Sequence, residues 1–415
     1  MNTIKALVNE TKFIALRLQK KTIRKRIPNS AFILPPASPG SLGDEALVVG
    51  AIEYLAQSGI TTIGIMSHDP KRQWKIDKPI ESTDIKHHYL YGSLSSEKSP
   101  YNFLKAVSDY EKFYCIGADV MDGYYSERDT VQRLKFTSIA HSIGIESSIV
   151  SFSFNQQPPV GCVEAFQRLS PNIRLCVRDP ISLKRLEKIT NNPINQVADL
   201  AFLLTPKNNT KVSEMVDKWV FEQHTKNNIV LGVNANYKLI ENLENQSLQT
   251  LSNIYIDTLI RLYDDNNALS FVLIPHDFRN IGGTNSDVAL AEAIYQGLPT
   301  TLQSQCFNVP APFSAGEVKG IVGKLDFVLS GRMHLAIACL GQGTPAACIT
   351  YQGKFEGLFR HFDIKGMEIE PKEALEPQQL VSFLSPLIEK RNEISQHIRQ
   401  KLPQVKEKST RNFSS

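Results

Sequence analysis

Arg332 and His334 stand two residues apart in Ser330-Gly-Arg-Met-His-Leu-Ala336, where a β-rich run, Asp326–Ser330, gives way to an apolar helical pattern. The spacing predicts both side chains in the first turn of a helix, close to its positive end and its unpaired N–H groups. That combination suits phosphate or carboxylate. One strand later, Thr350-Tyr-Gln-Gly-Lys354 brings Lys354 to the same sheet edge. Three further clusters follow predicted strands. Pro275-His276-Asp277-Phe-Arg279 offers a cation, a carboxylate and a proton carrier within four residues. Ile116-Gly-Ala-Asp119-Val-Met-Asp122-Gly-Tyr124-Tyr125 offers two carboxylates and paired tyrosines, able to hold a hydroxylated ligand or take its proton. Arg178-Asp179 reads either as a ligand-binding pair or as a helix cap beside a surface charge. Gly43-Asp44-Glu45, at another helix start, leaves Asp44 open between a cap and a ligand contact. Arg178, Arg279, Arg332 and Lys354 are four cations at strand ends, and their common target is a compact, multiply charged anion.

Several chemistries are excluded. There is no GxxxxGK[ST], GxSxG or HExxH, and the histidines and cysteines lack zinc spacing, so no metal is expected. Gly341-Gln-Gly-Thr-Pro-Ala346 spells a dinucleotide fingerprint, but it follows a helical pattern and precedes a strand, the reverse of the required order.

The elements that must position these residues alternate. β-rich runs at 31–34, 61–67, 112–116, 148–152 and 173–177 are interleaved with helical patterns. After the polar break Thr205–Thr210 the alternation resumes, with strands at 228–234, 270–275, 326–330 and 346–350 and a long helix at 376–399. Strand–helix alternation implies parallel sheets covered on both faces. The expected fold is α/β: two Rossmann-like lobes with a cleft between them. The expected organisation is a basic amphipathic segment (1–30), a first lobe (31–205), a linker and helix (206–224), a second lobe (225–375) and a C-terminal helix with basic tail (376–415).

The chain carries 46 Lys+Arg against 42 Asp+Glu, a formal +4. The ends account for it: residues 1–30 hold eight basic residues and one acidic, and residues 390–415 hold seven and two, leaving an acidic body. No aromatic–basic platform accompanies the charge, so nucleic acid is not an expected partner. Apolar residues near helical spacing within 1–30 fit an amphipathic helix on an anionic membrane, and equally a helix packed on the body. With no compact apolar leader, no run long enough to span a bilayer and six scattered cysteines, the expected location is the cytoplasm, with peripheral contact at the inner face of the membrane.

SGRMHLAIACLGQGTPAACITYQGKFEGL resembles the C-terminal signature of the polysaccharide pyruvyl transferase family: Ser-x-Arg-x-His, an apolar helix, a Gly-x-Pro turn, a short strand, then Tyr-x-x-Lys. IGADVMDGYYS, SFSFN, VRD, ADLAF and the GDEAL helix start resemble that family's first-lobe segments. The resemblance implies a GT-B-like fold and phosphoenolpyruvate as donor substrate, with no further cofactor. It implies pyruvate attached as a ketal to a sugar acceptor, lipid-linked in some settings, in exopolysaccharide or cell-envelope synthesis. On it, His334 is expected as acid, or as a donor to the phosphate. Arg332, Lys354, Arg178, Arg279 and His276 would bind the donor, and Asp119 and Asp122 would hold or deprotonate the acceptor beside Asp44 and Tyr124. The competing expectations are a GT-B glycosyltransferase using a nucleotide sugar and a non-catalytic glycan-binding relative.

Overall fold

Strands form where apolar runs can be buried on both faces of a parallel sheet. In the computed structural model of the chain, Ser30–Leu34 and Thr62–Ser67 are buried at every residue. The structure describes residues 14, 26–67, 70, 71, 73, 74, 76, 82–90, 99–239, 247–283, 286–350 and 355–414. The amphipathic segment within 1–30 therefore lies mostly outside the described residues, and Lys354 lies wholly outside them.

The chain divides into two units. The first takes its described residues from Met1–Pro39, Leu47–Leu203 and Lys408–Ser415. Its strands are β1 (Ser30–Leu34), β2 (Thr62–Ser67), β3 (Asp84–Tyr89), β4 (Lys112–Ala118), β5 (Glu146–Phe152), β6 (Arg174–Val177) and β7 (Ile194–Gln196). They form an all-parallel sheet in the order β3-β2-β1-β4-β5-β6-β7. Its core holds stacked Phe103 and Phe136, ring centroids 4.4 Å apart, with Phe32 and Phe113 against Phe103. The chain's end is built into this unit. The Asn412 side chain accepts from Ser151 N at 2.9 Å and donates to Ala198 O at 2.9 Å, while Phe413 stacks on Tyr54.

The second unit comprises Gly40–Ala46 and Leu204–Glu407. Its strands are β8 (Ile229–Asn234), β9 (Leu269–Leu273), β10 (Cys306–Asn308), β11 (Phe327–Ser330), β12 (Ala346–Ile349) and β13 (Glu368–Ile369), again all parallel, in the order β10-β9-β8-β11-β12-β13. The long helix expected at 376–399 is two helices, Pro377–Glu389 and Arg391–Thr410. All six cysteines are free and buried. Among the described residues no helix is long and apolar enough to cross a membrane.

Both sheets are doubly wound. In the first, the chain runs from β1 outward to β3 and then returns to β4 on the other side of β1. In the second, it runs from β8 to β10 and returns to β11 beside β8. At such a reversal the connections leave the sheet in opposite directions and open a crevice at the strands' carboxyl ends, where α/β proteins bind ligands.

Candidate active site

In the second unit that crevice is bordered by the chain following β8 and β11. Gly331 N donates to Asn234 O at 3.1 Å, and Asn236 Nδ2 donates to Gly331 O at 2.8 Å. A Cβ on Gly331 would stand 2.8 Å from that of Asn236, so only glycine lets the two connections close together. Ser330 fixes the turn from both sides: its Oγ accepts from Arg332 N at 3.1 Å and donates to Arg332 O at 2.7 Å. Arg332 is the N-cap residue of the helix Met333–Leu340, and His334 is the helix's second residue.

Two carboxylates grip the Arg332 guanidinium. Its Nε and Nη2 meet Asp287 Oδ2 and Oδ1 at 2.8 and 2.6 Å, and its Nη1 meets Asp277 Oδ2 at 3.2 Å. Asp287 opens the helix Asp287–Gly297, capped by Ser286, and is only 2 % exposed. It also accepts the His276 backbone N–H at 3.0 Å, tying the end of β9 to the same group. Asp277 accepts from Arg279 N and Nε at 3.0 Å and pairs with Arg279 Nη2. Burial alone would raise the Asp277 pKa, but the hydrogen bonds of Arg279 and the charge of Arg332 override it and hold the carboxyl at about 2. Two guanidiniums thus face two carboxylates. The sequence reveals the arginines but not these counter-ions.

His276 is buried, and burial, then Arg332 and His334, push its imidazole down to about 3. It is neutral in the folded protein at any ordinary pH. The unfolded chain binds a proton there below about 6.5 while the folded chain does not, so acid drains stability between about 6.5 and 3. Asp277 adds its own loss only lower, from its unfolded value of 3.8 down to about 2. Thermal melts should show stability falling by roughly 1 kcal/mol per pH unit below pH 6, with the slope reduced in His276→Gln. An unchanged slope in that variant would refute the assignment.

Residues Gly40–Ala46 belong to this unit and lie along the same centre. Phe278 N donates to Gly40 O at 2.8 Å, Ser41 bridges Asp277, and Glu45 Oε1 accepts from Ala315 N at 2.8 Å. Gly40 has φ 129°, and a Cβ there would stand 2.9 Å from Arg279 Cγ. At Gly43 a Cβ would stand 2.4 Å from His334 Nδ1. Asp44 is in this stretch, its N–H directed at Ser41 Oγ 3.4 Å away.

The structure therefore gathers Arg332, Arg279, Asp277 and His276, with His334 and Asp44 in the same unit. It adds Asp287, which the sequence reading missed, and sets Gly43, read only as part of a helix start, beside His334. Ser286-Asp287 was readable as a helix start, but nothing in the sequence joins Asp287 to Arg332, 45 residues away.

The remaining candidates among the described residues lie in the first unit. Arg178, at the end of β6, is buried against Asp199 at 2.8 Å and Ser153 Oγ at 2.8 Å. Asp179 caps the helix Pro180–Leu186, accepting from Ile181 N and Ser182 N. Asp119, Asp122, Tyr124 and Tyr125 follow β4 at this sheet's own reversal. Asp122 is buried and accepts from Tyr124 N at 3.0 Å, while Asp119 accepts from Tyr125 Oη at 3.0 Å. Among the described residues no group of three or more His, Cys, Asp and Glu is placed to hold a metal ion.

Two parallel, doubly wound units define an α/β protein with a GT-B-like fold, and solved structures agree. The UDP-GlcNAc 2-epimerase of Neisseria meningitidis aligns with a TM-score of 0.57 at 11% identity, covering 92% of this chain and 97% of its own. A glycosyltransferase of Rickettsia africae aligns with a TM-score of 0.53 at 13% identity, covering 95% and 100%. At such identities the likeness is one of fold. The sequence model of the polysaccharide pyruvyl transferase family matches residues 42–353, and the chain belongs to that family. No curated protein matches the sequence.

Proposed function

We propose that the protein transfers pyruvate from phosphoenolpyruvate to two hydroxyls of a sugar, forming a ketal and releasing phosphate. The observation that carries this reading is the Arg332–His334 turn at the second unit's sheet reversal, clamped by Asp287 and Asp277 inside the family-matched segment. The donor is a small frame bearing a phosphate and a carboxylate, both of which arginine recognises. Arg332 and Arg279 would hold it, with Lys354 as a further candidate.

The chemistry requires one proton delivered to the donor's methylene carbon, making it a methyl group, as a sugar oxygen attacks the neighbouring carbon. The carbon–oxygen bond to phosphate breaks, and a second hydroxyl closes the ring. Two hydroxyl protons are lost: one balances the methyl group and the other leaves with phosphate. His334 is the proposed acid, or the donor to the departing phosphate. His276, neutral and buried, is better suited to shaping the site than to carrying a proton at ordinary pH.

Incubating the full chain with phosphoenolpyruvate and a panel of saccharide acceptors should release phosphate only when an acceptor is present, and mass spectrometry should show the acceptor gaining a pyruvate ketal. Glycosyl transfer from a nucleotide sugar, with no ketal formed, would overturn this reading.

A further inference from the structure

Asn234 ends β8, the strand that stands between β9 and β11 at the second unit's reversal. It is wholly buried, a setting that disfavours a side-chain amide unless its polar atoms find partners. Its main-chain oxygen accepts from Gly331 N at 3.1 Å, on the turn that leads into Arg332. Its Nδ2 donates to Ile274 O at 2.8 Å, on the chain that leads from β9 into His276 and Asp277, and stands 3.5 Å from Asp287 Oδ2. The three connections that carry the Arg332 clamp therefore converge on one residue. Both groups facing Nδ2 can only accept, so the amide fits one way round, with Oδ1 turned from them. Oδ1 is buried and finds no hydrogen-bond partner among the described residues. Asn236 is the contrast: its Nδ2 donates to Gly331 O at 2.8 Å and its Oδ1 accepts from Lys238 N at 3.0 Å, so both ends are used. An unpaired buried oxygen lowers stability, and packing alone is better served by an apolar side chain. What an apolar residue would lack is the nitrogen.

We infer that Asn234 is a positioning residue of the clamp: its Nδ2 fixes the end of β9 beside Asp287, its main-chain oxygen fixes the Gly331 turn, and together they hold the Arg332 guanidinium in one direction. The inference rests on the proposed function only in taking phosphoenolpyruvate as the anion that Arg332 meets. The property required at this position is a donor. Aspartate has the shape of asparagine, but when ionised it turns an oxygen toward Ile274 O and Asp287 Oδ2, which have no proton to give. When protonated, its O–H restores the donor. Burial and the charge of Asp287 both favour that protonated form and move its titration up from the usual carboxylate range. The other titratable and charged groups of this centre are His276 and Asp277 after β9, Arg332 and His334 after β11, and Tyr255 on the helix Leu248–Asp265, whose phenol the charge of Asp287 raises. His276 at about 3 and Asp277 at about 2 keep one state between about pH 5 and 8, and any titration shared by variant and wild type cancels in their ratio.

The test uses the full chain, with phosphoenolpyruvate binding followed by calorimetry and the Arg332 Nε–H signal, assigned by its loss in Arg332→Lys, followed by NMR. Asn234→Ala should move that signal and weaken phosphoenolpyruvate about tenfold. Asn234→Asp should weaken it about a hundredfold at about pH 8 and approach the wild type at about pH 5, so that the variant-to-wild-type affinity ratio rises as the pH falls. Should Asn234→Ala not fold, Asn234→Asp at the acid end keeps both the shape and the donor, and its pH series decides alone. A residue with a packing role only would lower the melting temperature while leaving the affinity of the folded protein and the Arg332 signal unchanged, and that result would overturn the inference. So would an Asn234→Asp affinity whose ratio to the wild type is flat across the pH range. If phosphoenolpyruvate does not bind the wild type but the Arg332 signal still moves in the folded variants, the positioning role stands and the donor reading falls.

Discussion

Arg332→Met is expected to cost the fold about 3–5 kcal/mol, and pairing it with Asp287→Asn is expected to recover most of that loss while leaving turnover depressed by about a hundredfold or more. The reasoning follows from the burial of Asp287. That carboxylate is 2 % exposed, and its two oxygens take the Nε and Nη2 of Arg332. Removing the guanidinium strands a buried negative charge, so the single variant would lose activity for an uninformative reason. Making the partner neutral removes the stranded charge, and an asparagine oxygen can still accept the His276 N–H now bound to Asp287. Stability and catalysis then separate, with denaturant unfolding reporting the first and phosphate release the second. Arg332→Lys should resemble the double variant in turnover, because one ammonium cannot span Asp287 side-on and reach Asp277 as well. A double variant that turned over normally would show Arg332 to be a structural counter-ion and nothing more.

That experiment marks the boundary of what the sequence disclosed. Strands buried on both faces read as unbroken apolar runs, and the cores of β1, β2, β4 and β5 could be placed from the sequence alone. The edge strand β3, Asp-Ile-Lys-His-His-Tyr, is partly exposed along its length and carries no such signal, and β7 has only three residues. The Arg-x-His turn was legible because its residues are adjacent in the chain. Its partners were not, since Asp277 and Asp287 reach it from 55 and 45 residues away. The same blindness applied to Arg178: the sequence displays a cation at a strand end, and the structure shows its charge met by Asp199. The helical pattern at 376–399 extends further in the structure, where Arg391–Thr410 continues through Pro403.

Gly43→Ala should reduce turnover by about a hundredfold while changing the melting temperature little. Gly43 is a helical residue in Leu42–Gln57 and has no left-handed φ to justify glycine. By helix propensity alone, alanine there should stabilise by up to about 1 kcal/mol. The obstacle is His334: a Cβ would stand 2.4 Å from its Nδ1 and 2.7 Å from its Cγ, so the imidazole must swing away. A displacement of that size at a proton-handling group is costly to catalysis and nearly free to the fold, because the glycine's absent side chain serves only to leave room. The test is a double-mutant cycle. In a His334→Ala background the imidazole is gone and only the alanine Cβ remains, 3.0 Å from the added methyl, so adding Gly43→Ala should cause no further loss of turnover. The histidine NMR signals give a readout independent of activity: those of His334 should move in Gly43→Ala, while His397, bonded to Phe362 O at 2.6 Å, should keep its signals. Additive losses in the cycle, or unmoved His334 signals, would mean that Gly43 acts on something other than the imidazole.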